Sequence, residues 1–103
     1  MKTLADHFTT FDALHALAAE YPLLPAADMR TESNAPGDLL VSCWHLDDFE
    51  LWREALHADP AGIEFEVTAH GRLHLVAEAR FAGATVILHG YSPRASQPKV
   101  EAA

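Results

Sequence analysis

Between Ile63 and Tyr91 apolar and polar residues alternate through two glycine-containing turns. A period of two confines such a stretch to strands with one buried face. Ile63, Phe65 and Val67 alternate with Glu64, Glu66 and Thr68. Leu73, Leu75, Ala77, Ala79 and Phe81 alternate with Arg72, His74, Val76, Glu78 and Arg80, and Ala84 to Tyr91 closes an antiparallel meander over 63–91. Everything else in the chain has to pack against this sheet.

The turns set the register. A loop of Ala69, His70 and Gly71, with the glycine left-handed, places Val67 opposite Leu73 and Phe65 opposite Leu75. A loop one residue shorter would set Glu66 against Leu75 and put core side chains on the wrong face. With Ala82 and Gly83 as the second turn, Phe81 faces Ala84, Ala79 faces Val86, and Ala77 faces Leu88. The opposite face then carries two rows, Glu66 with His74 and Tyr91, and Glu64 with Val76 and His89.

Upstream, Phe11, Leu14, Leu17, Ala18 and Tyr21 recur at helical spacing, with Thr9 or Thr10 as the cap and Pro22 as the stop. This predicts a helix over 10–20. Residues 22–38 have too few periodic apolar positions for an element and read as a long mobile loop. The apolar run starting at Leu39 predicts a strand over 39–45. Asp47 followed by Glu50 is a capping box, and Leu46 with Leu51 fits a hydrophobic staple, so a helix is expected over 48–58. Its stripe is Phe49, Trp52, Ala55 and Leu56, with Pro60 and Gly62 marking the exit. The tail, 92–103, has two prolines and few apolar residues and is expected to fray. The expected fold is a single α+β domain: an N-terminal helix, then a strand-helix-three-strand unit. Its mixed four-stranded sheet has the last strand beside the first and a helix packed on one face.

Charge narrows the partners. The chain has 103 residues and a net charge of −8 with scattered acids, which disfavours direct binding to a nucleic-acid backbone. The one cysteine, Cys43, has no internal partner for a disulfide, as suits a reducing compartment. The start lacks an apolar stretch of signal-peptide length, and no segment approaches the ~20 apolar residues of a membrane span. A cytoplasmic location without membrane contact is expected.

Leu14, Leu17-Ala18, Tyr21-Pro22, Leu24-Pro25, the segment from Leu39 to Leu56 and that from Phe65 to Ser92 together resemble small actinobacterial proteins that carry no assigned function. At the level of fold, the strand-helix-three-strand unit resembles one module of the glyoxalase and bleomycin-resistance (vicinal oxygen chelate) proteins, two of which jointly form a cavity. That resemblance implies metal ligands at the start of the first strand and on an acid near the end of the last. Here His45 follows the first strand, and the last offers His89 and Tyr91 instead of a carboxylate. No ligand set carries over.

The residues that remain define a surface. If Leu39, Val41 and Cys43 face the helix, then Leu40 and Trp44 join Val76, Ile87 and Tyr91 on the open side, rimmed by Glu66, His74 and His89. These residues are the expected partner-binding face, unless the first helix folds over it. Glu64, Glu66, His74 and His89 include metal-donor types, but alternating polar residues on a solvated sheet face look the same. Glu66 opposite His74 would favour a charged imidazole. Cys43 is expected to pack as a small hydrophobe, and no catalytic residue or cofactor is assigned. The expected function is a small acidic interaction or regulatory module without catalytic activity, a homodimer, with an unidentified protein partner as a further option. The alternatives are a dimeric small-molecule binder or enzyme of glyoxalase-like shape and an acidic mimic of nucleic acid.

Overall fold

A computed structural model describes residues 2–93. After a short 3-10 turn, Leu4–His7, come α1 (Phe8–Glu20), β1 (Asp28–Glu32), β2 (Ala35–Cys43), α2 (Leu46–Ala55), β3 (Glu64–Val67), β4 (Leu73–Phe81) and β5 (Ala84–Tyr91). The strands form one sheet in the order β1-β2-β5-β4-β3. Only the β2–β5 contact is parallel. The α+β architecture, with the last strand beside the 39–43 strand, is therefore present, but the sheet has five strands and not four.

The fifth strand comes from the stretch expected to be a loop over 22–38. Asp28–Glu32 pairs antiparallel with β2, whose own start lies at Ala35 instead of Leu39. An edge strand over the rim of the core needs few apolar residues. Asp-Met-Arg-Thr-Glu turns Asp28 and Arg30 to one face and Met29 and Thr31 to the other, and this weak alternation hides the strand. The β2 strand ends at Cys43, two residues before the expected 45.

The meander matches the expected register throughout. Phe65 pairs with Leu75, Glu66 with His74 and Val67 with Leu73, while Val76 pairs with His89, Ala77 with Leu88 and Phe81 with Ala84. Gly71 has φ 76°, as the three-residue loop requires, and Ala82 and Gly83 both have positive φ in the second turn.

Both helices lie on the same side of the sheet. Leu17 of α1 and Phe49, Trp52 and Leu56 of α2 share one core with Leu39, Val41, Cys43, Ala77, Val86 and Leu88. The α1 stripe centres on Thr10, Ala13 and Leu17, so Phe11 is partly exposed and stacks on His7. Neither Thr9 nor Thr10 caps this helix. It begins at Phe8, and the buried Thr10 hydroxyl donates to the Pro36 carbonyl, tying α1 to β2. The helices do not reach β3. Phe65 and Val67 point to the helix side but remain 72% and 67% exposed, so the expected core face stops at the half-buried Leu75.

The boundaries of α2 also differ from 48–58. His45 is the N-cap residue, and no capping-box hydrogen bond forms at Asp47. Glu50 turns instead to Arg53, accepting from Nε at 2.8 Å, which holds the Glu50 carboxyl below its ordinary pKa. Asp47 and Asp48 stand in the first turn, where the helix dipole favours them. Leu51, the expected staple partner of Leu46, is half exposed. At the other end His57 is left-handed (φ 59°), with His57 N–H donating to the Glu54 carbonyl and Ala58 N–H to the Arg53 carbonyl. That Schellman-type closure stops the helix three residues early, without the usual glycine. Ser92 is tied to Leu73 by two hydrogen bonds; the remainder of the tail, 94–103, lies outside the described residues. No helix among the described residues is long and apolar enough to cross a membrane.

Candidate functional site: the open face of the sheet

Because both helices occupy one side, the other has no cover from the described chain. Strand alternation brings Leu40, Ile87, Val76, His89, Tyr91, His74 and Glu66 to this face, and Trp44, just beyond β2, leans onto it. Leu40, Val76, Ile87, His74, His89 and Tyr91 are half-buried by their neighbours, and Trp44 is 49% exposed. All eight residues expected at the face are there.

Their rings are ordered. Tyr91 is sandwiched between Trp44, at a centroid distance of 4.8 Å, and His74, at 4.5 Å, with planes tilted by 18° and 3°. This row crosses β2, β5 and β4, and each contact falls in the range of favourable aromatic stacking. At its outer ends the Trp44 indole N–H donates to Asp28 at 2.8 Å, and Glu66 Oε2 lies 3.2 Å from His74 Nδ1. The row is thus closed by a carboxylate at each edge.

A second chain of contacts runs through the same histidine. His74 Nε2 is 2.9 Å from His89 Nδ1, with ring planes 13° apart. The centroids are 5.2 Å apart, so the rings meet edge to edge in a shared plane rather than face to face. The Glu66 carboxylate can only accept, which puts a proton on His74 Nδ1 and leaves Nε2 bare in the neutral ring. His89 Nδ1–H then donates to it, and His89 Nε2 is left as an acceptor.

His89 has a displaced proton affinity. Burial lowers its pKa from 6.5, helped by His74 and by Arg30 from β1. In the unfolded chain His89 binds its proton at a higher pH than in the fold. Its contribution to stability is therefore present above pH 6.5 and declines as the pH falls toward the lowered folded value. His89→Asn is expected to flatten that decline. Denaturant midpoints between pH 7.5 and 5 check this, and parallel slopes for variant and wild type would contradict it.

Glu64 does not join the relay; it pairs with Val76 one row away. Among the described residues no group of three or more His, Cys, Asp and Glu side chains is arranged to hold a metal ion. Cys43 is 2% exposed, and burial together with Asp48 pushes its thiol up to about 11. A protonated thiol is a poor nucleophile. Asp28 and Arg30 are the contributions not legible in the sequence, because the strand that carries them is too exposed to show an apolar period. An Asp-x-Arg-x-Glu alternation was the one available signal. No family model matches the chain, and no curated protein or solved structure is significantly similar to it.

Proposed function

We propose that this chain is a small interaction module that pairs with a second copy through the open face of its sheet. One observation carries the reading: both helices cover the same side, so Leu40, Trp44, Val76, Ile87 and Tyr91 have no partner layer among the described residues. Apolar and aromatic residues gathered on a flat sheet and rimmed by charges are the ordinary make-up of an interface centre. A twofold contact of ~1,200–2,000 Å² needs only part of one such face from each copy.

Trp44 is the natural anchor, since large aromatics supply much of the energy of such contacts. Sedimentation equilibrium is expected to give wild type twice the chain mass of 11.3 kDa. Trp44→Ala should dissociate at least about tenfold more readily. A wild-type mass of 11.3 kDa at every accessible concentration would overturn the reading.

A further inference from the structure

Where the open face runs out beyond His74, the β3–β4 hairpin borders an open cleft of about 380 Å³, lined among the described residues by Thr68, His70, Arg72 and Tyr91. The hairpin is firmly built. Thr68 N–H donates to the Arg72 carbonyl at 2.8 Å, Gly71 N–H to the Thr68 carbonyl at 2.9 Å, and Arg72 N–H to Thr68 Oγ1 at 3.1 Å.

Arg72 is the unusual member. The chain has 15 acidic residues against 7 lysines and arginines, and Arg30 and Arg53 each pair with a glutamate. Arg72 has no acidic partner among the described residues, and its Nε is buried without any hydrogen-bond partner. A guanidinium part-stripped of water and lacking a counter-ion is costly unless an anion completes it. Thr68 Oγ1 is occupied as an acceptor, which leaves its O–H free to donate. Both faces of the Tyr91 ring are taken by Trp44 and His74, so the cavity meets the ring at its edge.

We infer that this cavity is a binding site for a small organic monocarboxylate, held by the Arg72 guanidinium with Thr68 as a neutral donor. The planar fork of arginine matches a carboxylate with two parallel hydrogen bonds. One fixed cation balances one negative charge. A phosphate dianion would add a further charge to a chain already at −8. The volume leaves room for an apolar body of benzoate size behind the carboxylate. The site borders the open face at Tyr91, but its anion-holding groups, Arg72 and Thr68, stand on the hairpin outside the proposed pairing surface.

The test is a titration of the full-length chain labelled with nitrogen-15, at constant ionic strength. Sodium benzoate, neutral benzamide and inorganic phosphate are added in separate series. The readouts are the amide signals of Thr68, His70 and Arg72 and the Arg72 Nε–H signal, which burial should protect from exchange. Benzoate is expected to shift these signals saturably, with benzamide and phosphate each at least tenfold weaker. Arg72→Gln should lose at least tenfold in benzoate affinity, and Arg72→Lys, which keeps the charge but not the fork, should lose most of it too. The amides of β2 and α2 report whether each variant remains folded. No saturable shift with benzoate, equal binding of benzamide, tighter binding of phosphate, or undiminished binding by a folded Arg72→Gln or Arg72→Lys variant would each overturn the inference.

Discussion

Phe49→Ala is expected to destabilise the fold by ~3–5 kcal/mol, and Gly90→Ala, which adds a single methyl group, by ~1–3 kcal/mol or more. The two sites are one contact. Phe49 is 1% exposed beneath α2, and the base of its ring lies against the β5 backbone where Gly90 has no side chain. A β-carbon at Gly90 would stand 2.6 Å from two atoms of that ring. No carbon contact tolerates such a distance, and the buried ring has nowhere to move. The two changes should therefore be strongly non-additive: with the ring gone, the methyl group of Gly90→Ala partly fills the space. Denaturant unfolding of both single variants and the double variant measures the coupling. A Gly90→Ala variant unfolding at the wild-type midpoint would show that α2 does not sit against β5 as described.

Ile87→Glu is expected to weaken self-association by about a hundredfold or more, because a carboxylate buried without a partner at an interface costs several kcal/mol and each 1.4 kcal/mol is a factor of ten. Ile87 lies near the middle of the open face, on β5, between Leu40 of β2 and Glu78 of β4. In a lone copy the new carboxylate stays in water and adds only mild repulsion toward Glu78. In a pair it faces the opposing sheet. The variant should therefore remain folded while becoming monomeric. If instead it paired as tightly as wild type, the contact would have to lie elsewhere, with the exposed Phe65 and Val67 as the next candidates.

The parts of this molecule legible in its sequence are those where two constraints agree. In the meander, alternation and turn chemistry both require one register, because any slip would exchange Leu75 and Leu88 with polar neighbours. The row of Glu66, His74 and Tyr91 follows from that register, whereas the contact of His74 with His89 runs between two rows and does not. Where only one constraint acts, the sequence misleads. Asp47 and Glu50 have the spacing of a capping box, but Arg53 offers Glu50 a charged partner one turn along and the helix starts at Leu46. The strand at Asp28–Glu32 buries too little to show a period, and His57 takes a left-handed conformation that glycine would have announced. The uncovered side of the sheet was visible as a set of residues. Which side the first helix chooses depends on Leu17 joining the core that holds Val41 and Leu88 across long sequence distances, and no local pattern encodes that.

The claim that the open face is the pairing surface is tested most directly by filtered nuclear Overhauser measurements on a mixture of isotope-labelled and unlabelled full-length chain, which register only contacts between copies. Intermolecular signals are expected among Leu40, Trp44, Val76 and Ile87, the uncovered apolar residues of the face. Signals confined to Phe65 and Val67 on the helix side, or to the outer surface of α1, would contradict the account.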